Sequence, residues 1–333
     1  MNITKTAYFV TGVCNKICVN RLTAMHMINK RWKFFLCLVA MAIFISAVSA
    51  TAVENPRQGE VILLDIYHRN MARLERNSFG LPLYVESSER DDKAHVDVYG
   101  IFEYPFSSVV HVLNIPANWC DIVSLIPNVK ACTYKKLEGH WLLTFYLGRK
   151  VYQPPQNTRQ VICRYRIADQ RQGYLDIMLS ADVGPFGTKD HRMRFEAIPL
   201  DGERTFVRVS YEYRESVALR LAERAYFATF GRSKAGFTVT GTDGNGKPVY
   251  IGGRRGAIER SAVRNYLAIQ SFMNTMSYPE ERRFSMRINE WYDLTTRYRK
   301  QLFDLEKKDY LMFKIKEHKN QVLLQQRIGT GLR

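Results

Sequence analysis

The chain has 333 residues, of which 46% are hydrophobic and 12% aromatic, and its 49 Lys and Arg outnumber its 32 Asp and Glu, for a net charge of +17. This share of apolar residues can build a core, which excludes a disordered or collagen-like chain, and six Cys in such a length exclude a small domain held together by disulfides. The length fits one large domain or two ordinary ones.

The first 52 residues have the composition of an export signal. They carry six Lys and Arg and no acid, and a basic cluster at residues 30–33 precedes an apolar run over residues 34–48. Ala50 and Ala52 supply the small residues of a cleavage pattern, so we expect a signal peptide cut near Val53 and a periplasmic or secreted protein. Since the run is shorter than the roughly 20 residues that span a bilayer, an uncleaved inner-membrane anchor facing the periplasm is the alternative.

The leader offers alternative start codons, and it contributes part of the net positive charge of the chain. Met25 and Met27 stand just before the basic cluster, so either is an alternative start. Beyond the leader, Lys and Arg still exceed Asp and Glu. Because an exported protein meets anionic lipids and envelope polymers, we expect transient contact with a membrane surface and no nucleic-acid partner.

Three Cys remain after the leader, namely Cys120, Cys132 and Cys163. Cys120 and Cys132 flank a Pro-Asn turn that can bring them together, and an oxidising compartment permits a disulfide between them. The alternative is three buried thiols that behave as small hydrophobic side chains.

The predicted elements begin with a helix over residues 60–76, where apolar residues recur at helical spacing. Residues 86–93 are charged and predict a linker. Residues 95–103 alternate between apolar and polar and predict a strand with one solvated side. Pro105 and Pro116 then each begin a short apolar helix, because Pro is well tolerated at the first helical position.

A series of strands follows. Turn residues separate six candidates, at residues 129–135, 141–148, 159–167, 174–182, 191–198 and 205–214. In four of them apolar side chains alternate with Arg, Asp and Glu. This pattern predicts one antiparallel sheet with an apolar face and a solvated face.

The rest of the chain predicts mainly helices. Residues 216–230 and 257–276 have helical patterns, and residues 237–251 between them predict a hairpin. After Pro279, apolar residues from Phe284 to Leu305 recur at steps of three and four. They predict a longer helix that is either a solvated brace or half of a short coiled coil.

Motifs of nucleotide or metal chemistry are not supported. Residues 241–247 match G-x-x-x-x-G-K, but Pro248 replaces the hydroxyl residue that a nucleotide site needs, so a hairpin turn is predicted. The seven His stand singly and no C-x-x-C pair occurs. We therefore expect no metal and no other cofactor.

Two pairs of acids deserve a test as acid/base candidates. Asp176 with Asp182, or Glu196 with Glu212, could face each other across strands. They belong to the face that the alternation predicts to be solvated. We therefore expect surface acids and not a general acid/base pair.

Several short segments share a likeness to one superfamily. They are residues 100–106 (GIFEYPF), 118–122 (NWCDI), 128–132 (NVKAC), 234–239 (KAGFTV), 255–260 (RGAIER) and 264–268 (RNYLA). Together with the order of elements, they resemble the START-like (SRPBCC) superfamily of helix-grip proteins, and within it an uncharacterised exported bacterial branch. This superfamily includes lipid-transfer domains, polyketide cyclases/aromatases and plant pathogenesis-related allergens.

The resemblance implies an α+β helix-grip fold, in which a curved antiparallel sheet wraps around a C-terminal helix, with additional N- and C-terminal helices. The expected organisation is a signal peptide at 1–52, an N-terminal helix and linker at 53–93, a START-like domain at 94–277 with an inserted helix and hairpin at 216–251, and a long basic C-terminal helix at 278–333.

The resemblance also implies a hydrophobic cavity between the sheet and the helix over residues 257–276. The family binds sterols, phospholipids, polyketides or other apolar ligands there. The residues expected to line it are Cys163, Tyr165, Ile177, Leu179, Phe195, Val209, Tyr211 and Tyr213 from the sheet, with Tyr266 and Gln270 from the helix. Aromatic walls with a few polar groups suit an amphipathic ligand, whereas the alternative is a filled core.

The interpretation that follows is an exported, non-enzymatic binding protein or carrier for a lipid-like or other hydrophobic ligand. One alternative is an enzyme of cyclase, aromatase or hydrolase type, with Tyr211, Tyr213 or His191 as acid or base in the same pocket. Another is an envelope scaffold that binds a protein partner through the apolar stripe from Phe284 to Leu305.

Overall fold

The computed structural model describes residues 58–77, 79–229 and 231–329, so the predicted signal peptide lies outside the described residues. None of the helices within these ranges is both long and apolar enough to cross a membrane. The helices are α1 (Gln58–Glu75), α2 (Phe106–Leu113), α3 (Pro116–Ser124), α4 (Val217–Ala228), α5 (Gly253–Asn274), α6 (Glu280–Thr296), α7 (Arg299–Leu302) and α8 (Lys307–Gly329). The strands are β1 (Leu83–Arg90), β2 (Lys93–Phe102), β3 (Val129–Leu137), β4 (His140–Leu147), β5 (Arg159–Arg171), β6 (Tyr174–Val183), β7 (Lys189–Pro199), β8 (Thr205–Arg214), β9 (Val239–Thr242) and β10 (Pro248–Tyr250).

Strands β1–β8 form one sheet in the order β1-β2-β8-β7-β6-β5-β4-β3, and every neighbouring pair is antiparallel. Helices α2 and α3 connect β2 to β3, which lies at the opposite edge of the sheet. The strands from β3 to β8 then return across the sheet, and β8, the last of them, pairs with β2. Bulges between Ile167 and Asp169 and between Lys189 and Arg192 bend the sheet. The predicted α+β helix-grip fold with a curved antiparallel sheet is confirmed.

Helix α5 lies against the inner, apolar face of the sheet at its β1–β2–β8 end. Tyr266 of α5 packs with Phe102 of β2 at a ring separation of 5.5 Å, and its ring lies directly over Gly100. A side chain at Gly100 would overlap this ring. The glycine therefore lets the helix approach the strand closely.

The charged residues 86–93 form no linker. Residues Leu83–Arg90 are an edge strand that pairs with β2 along its whole length, from Leu83 opposite Gly100 to Arg90 opposite Lys93. Leu83 and Val85 are buried in the main core, whereas the strand's second half is mostly exposed. Charged side chains are common on edge strands because they discourage pairing with another chain, which explains the misleading composition.

The outer face of the sheet is also less solvated than its alternation predicted. Helix α1 covers part of it and forms a second core with members Leu63, Leu74, Tyr99, Tyr174, Ile198 and Phe206. Under this cover Asp176 and Glu196 are buried opposite each other on β6 and β7, and Arg194 pairs with both. The expectation of solvated acids is therefore wrong for these two, because a helix elsewhere in the chain excludes water from them.

The segment 278–333 does not form one long helix. Its described part contains α6, α7 and α8, and the first break falls at Tyr298, whose hydroxyl donates to the carbonyl of Phe79. Ile288, Trp291 and Leu302 of the predicted stripe are buried in the main core. The stripe is thus used within the chain, and it is not available to a protein partner as the scaffold hypothesis required.

Helix α8 covers the edge strand β3. The side chain of Gln321 accepts the N–H of Cys132 at 2.8 Å, and Gln325 accepts the N–H of Tyr134 at 2.9 Å and donates to its carbonyl at 3.0 Å. These glutamines bond backbone groups that a neighbouring strand would otherwise satisfy. At the same place a disulfide joins Cys120 of α3 to Cys132 of β3.

Candidate functional site

A cavity of about 470 Å³ lies between the inner face of β4–β8 and helices α3 and α5. We call it the inner cavity. Its apolar wall comes from side chains that alternate inward along the strands, among them Phe145, Val161, Cys163, Leu179 and Met193. Burial raises the pKa of Cys163 to about 12, so this thiol stays neutral and contributes a small apolar surface.

The structure brings three of the ten predicted site residues to this cavity, namely Cys163, Leu179 and Tyr211. The lining does not include Tyr213 or Gln270, nor the five buried residues Tyr165, Ile177, Phe195, Val209 and Tyr266. Trp119 of α3 contributes to this difference, because it packs against Phe195 and Tyr165 at ring separations of 6.0 and 6.5 Å. One half of the inner face is therefore filled core, and the other half is open.

One end of the inner cavity is charged. Arg149 and Lys150 follow β4, Arg264 comes from α5, and Asp304 lies in the connection between α7 and α8. Asp304 is bonded to Lys150 and also pairs with Arg264, whose nitrogen lies 3.0 Å from its carboxylate. Burial lowers the pKa of Arg264, and burial together with the charge of Arg264 lowers the pKa of Lys150.

Another part of the cavity wall carries a directed chain of hydrogen bonds. The hydroxyl of Thr188 donates to the carbonyl of Pro185 at 2.6 Å, so its oxygen accepts from Nε2–H of His191 at 2.8 Å. Nδ1 of His191 is then left to accept the hydroxyl of Tyr211 at 2.8 Å. Burial lowers the pKa of His191 and raises that of Tyr211, which keeps both groups neutral and this direction intact.

A glycine in the β6–β7 turn makes room for this chain. A side chain at Gly184 would overlap Nε2 of His191 and the hydroxyl of Thr188. The same turn places Phe186 in the left-handed region, with φ of 59°. The backbone of this turn therefore leaves room for the imidazole ring of His191.

Sequence reasoning missed the polar side of helix α5. The prediction used the apolar stripe that contains Tyr266, whereas the cavity is lined by Ser261, Arg264 and Asn265. These three are spaced i, i+3 and i+4, so they share one helix face. A polar face on a helix that is otherwise buried was the available signal. Asp304 carried no such signal, because it reaches the site from another part of the chain.

The comparisons with known proteins concern the fold. No family model matches the chain, and no curated protein matches it at the threshold applied. Within the described ranges, no group of three or more His, Cys, Asp or Glu is arranged so that it could hold a metal ion.

The chain is similar to several solved structures at low sequence identity. The Zhui aromatase/cyclase from Streptomyces sp. R1128 matches with 12% identity and a TM-score of 0.29, over 62% of this chain and 94% of that one. Norcoclaurine synthase from Thalictrum flavum matches with 10% identity and a TM-score of 0.30, over 40% and 76%. The STAR-related lipid transfer protein from Xanthomonas axonopodis matches with 13% identity and a TM-score of 0.30, over 42% and 79%.

Proposed function

We propose that this protein binds a lipid-like or other hydrophobic ligand in the inner cavity and acts as its carrier. The observation that supports the proposal is the cavity itself, at about 470 Å³, with an apolar wall and two groups of polar residues in its lining. Ligand sites in proteins commonly have about 300–1,000 Å³ and this arrangement of groups.

The inner cavity is larger than the voids that imperfect packing usually leaves in a protein interior. Protein interiors are packed about as densely as organic crystals, and most of their voids are no larger than a water molecule. The neighbouring half of the same sheet face obeys this rule, since Trp119, Tyr165 and Phe195 fill it. The open half therefore favours a site that is kept open for a ligand.

The proposed compartment is the periplasm or the exterior, with an inner-membrane anchor facing the periplasm as the alternative. The composition of residues 1–52 supports export. The disulfide between Cys120 and Cys132 supports it independently, because such bonds persist in oxidising compartments and are rare in the cytosol.

Mass spectrometry of organic extracts of the purified protein tests for a bound ligand, and displacement of a fluorescent fatty acid or sterol probe tests for binding. Cys163→Phe places a ring in the inner cavity, whereas Ile162→Phe places one on the exposed opposite face of the same strand. We expect the first variant to lose most probe binding and the second to keep it. Equal binding by both variants, or an empty protein that ignores every probe, contradicts a carrier that uses this cavity.

An enzyme of cyclase, aromatase or hydrolase type is the second candidate, favoured by the hydrogen bond from Tyr211 to His191 at the cavity wall. His191 is placed to accept the phenolic proton and Tyr211 to exchange a proton with a bound substrate. In screens with aryl esters and polyketide-like substrates, this candidate requires turnover that Tyr211→Phe and His191→Gln abolish while probe binding persists. If both variants keep the turnover, or if no turnover is found, the carrier function is the better supported of the two candidates.

We also propose transient contact of the β6–β7 turn, beside the inner cavity, with a membrane surface. Phe186 is 77% exposed on the β6–β7 turn, next to the cavity-lining Pro185. The guanidinium of Arg159 lies 5.9 Å from its ring centre. An exposed aromatic beside a cation suits the interface of an anionic bilayer.

A further inference from the structure

Positive charge is in excess at the charged end of the inner cavity. Arg149, Lys150 and Arg264 line it, and Asp304 is the one acid among the described lining residues. This single carboxylate is shared, since both Lys150 and Arg264 pair with it. The end of the cavity therefore has positive potential that the protein itself does not neutralise.

Arg264 is the most buried of these cations. Its side chain is only 12% exposed, and it forms one ion pair, at 3.0 Å to Asp304. Its Nε–H is buried without an acceptor. A buried charged donor without a partner is costly, so the structure favours an acceptor from outside the chain at this position.

Two further cations lie nearby. Burial together with the charges of Arg264 and Lys234 lowers the pKa of Lys150, and burial together with the charge of Arg264 lowers the pKa of Arg260, one helical turn before it. The charges of Asp304 and Glu259 oppose this shift at Arg260, whose pKa nevertheless stays lowered, and the Glu259 carboxylate also accepts the N–H groups of Phe237 and Thr238 at 2.6 and 2.9 Å.

We propose that the ligand is an amphiphile with an anionic head group, a carboxylate or a phosphate, which accepts the Nε–H of Arg264 and is held by Lys150 and Arg149. Its tail lies along the apolar wall toward Tyr211. This inference rests on the proposed function and adds the charge and the orientation of the ligand. Guanidinium groups suit both head groups, because they donate in a planar fork that matches carboxylate and phosphate oxygens.

If the charged residues at this end of the cavity have only a structural role, a different experimental result is expected. If Arg264 only braces α5 against the connection that carries Asp304, its removal lowers stability and leaves the preference among ligands unchanged. Preference for the head group is therefore the readout that separates the two roles.

The test compares cis-parinaric acid with its methyl ester, two fluorescent probes that share a tail and differ in charge. We expect the unaltered protein to bind the acid about tenfold more tightly than the ester, and Arg264→Gln to reduce this ratio below about threefold while ester binding persists. Lys150→Gln, at a half-exposed position, serves as a second variant if Arg264→Gln does not fold. Arg282→Gln, at an exposed position on α6, is the matched control and keeps the ratio.

Displacement by dodecyl phosphate and by dodecanoate distinguishes the two head groups. Stronger displacement by either one than by dodecanol supports an anion site and assigns its chemistry. Equal binding of acid and ester by the unaltered protein overturns the inference and leaves the carrier function standing. Binding of neither probe counts against the carrier function itself.

Discussion

The hydroxyl end of the Tyr266 ring occupies the place that a side chain at Gly100 would take, where helix α5 packs against strand β2. No side chain fits between them. This contact fixes how closely the helix approaches the sheet at one end, while the sheet and helix leave the inner cavity open toward the other.

Gly100→Ala should therefore strain the protein. The added methyl group overlaps Tyr266, so α5 or the strand has to move, and we expect a loss of about 1–3 kcal/mol in the free energy of unfolding. Chemical denaturation measures it. Gly202→Ala is the control, because a side chain there meets open space. Equal stability of the two variants would show that the close contact is not structurally required.

Gly184→Ala should release His191 from its buried position. The new methyl group overlaps Nε2 of His191, so the ring moves toward solvent and loses its bond to Tyr211. Burial lowers the pKa of His191 in the unaltered protein, and in the variant we expect it to return to about 6.5. NMR titration of the imidazole measures both values. Tyr211→Phe removes the bond but not the burial, so it should keep the pKa low.

The attachment of α4 should weaken as pH rises. Burial and the neighbouring carboxylate of Glu215 raise the pKa of Glu223 to about 7; Glu89 also raises it, and Arg254 opposes the shift. Because the folded state holds this proton more tightly than the unfolded state, the stabilising contribution is complete below pH 4.5 and is lost as pH rises through about 7.

No side chain of α4 is fully buried in the described structure, although that of Glu223 is partly buried, so the helix depends on few contacts. We expect hydrogen exchange of the backbone amides of residues 217–228 to be faster at pH 8 than at pH 6, after correction for intrinsic rates. Glu223→Gln keeps a neutral side chain at every pH and should remove the difference. A pH effect that persists in this variant would assign it to another group.

Loss of the disulfide should destabilise the sheet edge beneath α8. A closed loop of this length is worth about 3 kcal/mol in the chain-entropy account. We expect Cys120→Ala combined with Cys132→Ala to lower the free energy of unfolding by about that amount, and reductant to act only on the unaltered protein. Cys163→Ala is the control for loss of a buried thiol, since Cys163 forms no disulfide.

Phe186→Ser should weaken contact with anionic vesicles. The ring is mostly exposed on a turn beside the cavity, so the change removes apolar surface with little effect on the core. Sedimentation with phosphatidylglycerol vesicles measures binding, and phosphatidylcholine vesicles test the need for charge. Ile162→Ser, an exposed apolar position of β5, should have no effect. Equal loss in the two variants would indicate nonspecific adsorption.

The sequence alone determined the strands that alternating apolar and polar residues indicate, and the helices that Pro residues and helical spacing indicate. The strand predicted at residues 95–103 and the six after it are present, as β2–β8, because period-two burial is a local property of a half-buried strand. Cys163, which was expected in the lining of the cavity, is among its lining residues. The resemblance to helix-grip proteins added the position of the covering helix.

Only the tertiary structure decided which inward-facing residues of the sheet line the inner cavity and which are packed in the filled core. Trp119 packs against Tyr165 and Phe195, and α1 covers Asp176 and Glu196 from a distant part of the chain. Arg264 and Asp304 meet only because α7 and α8 follow the break at Tyr298. Such pairings depend on which segments meet in space, and local periodicity carries no information about that.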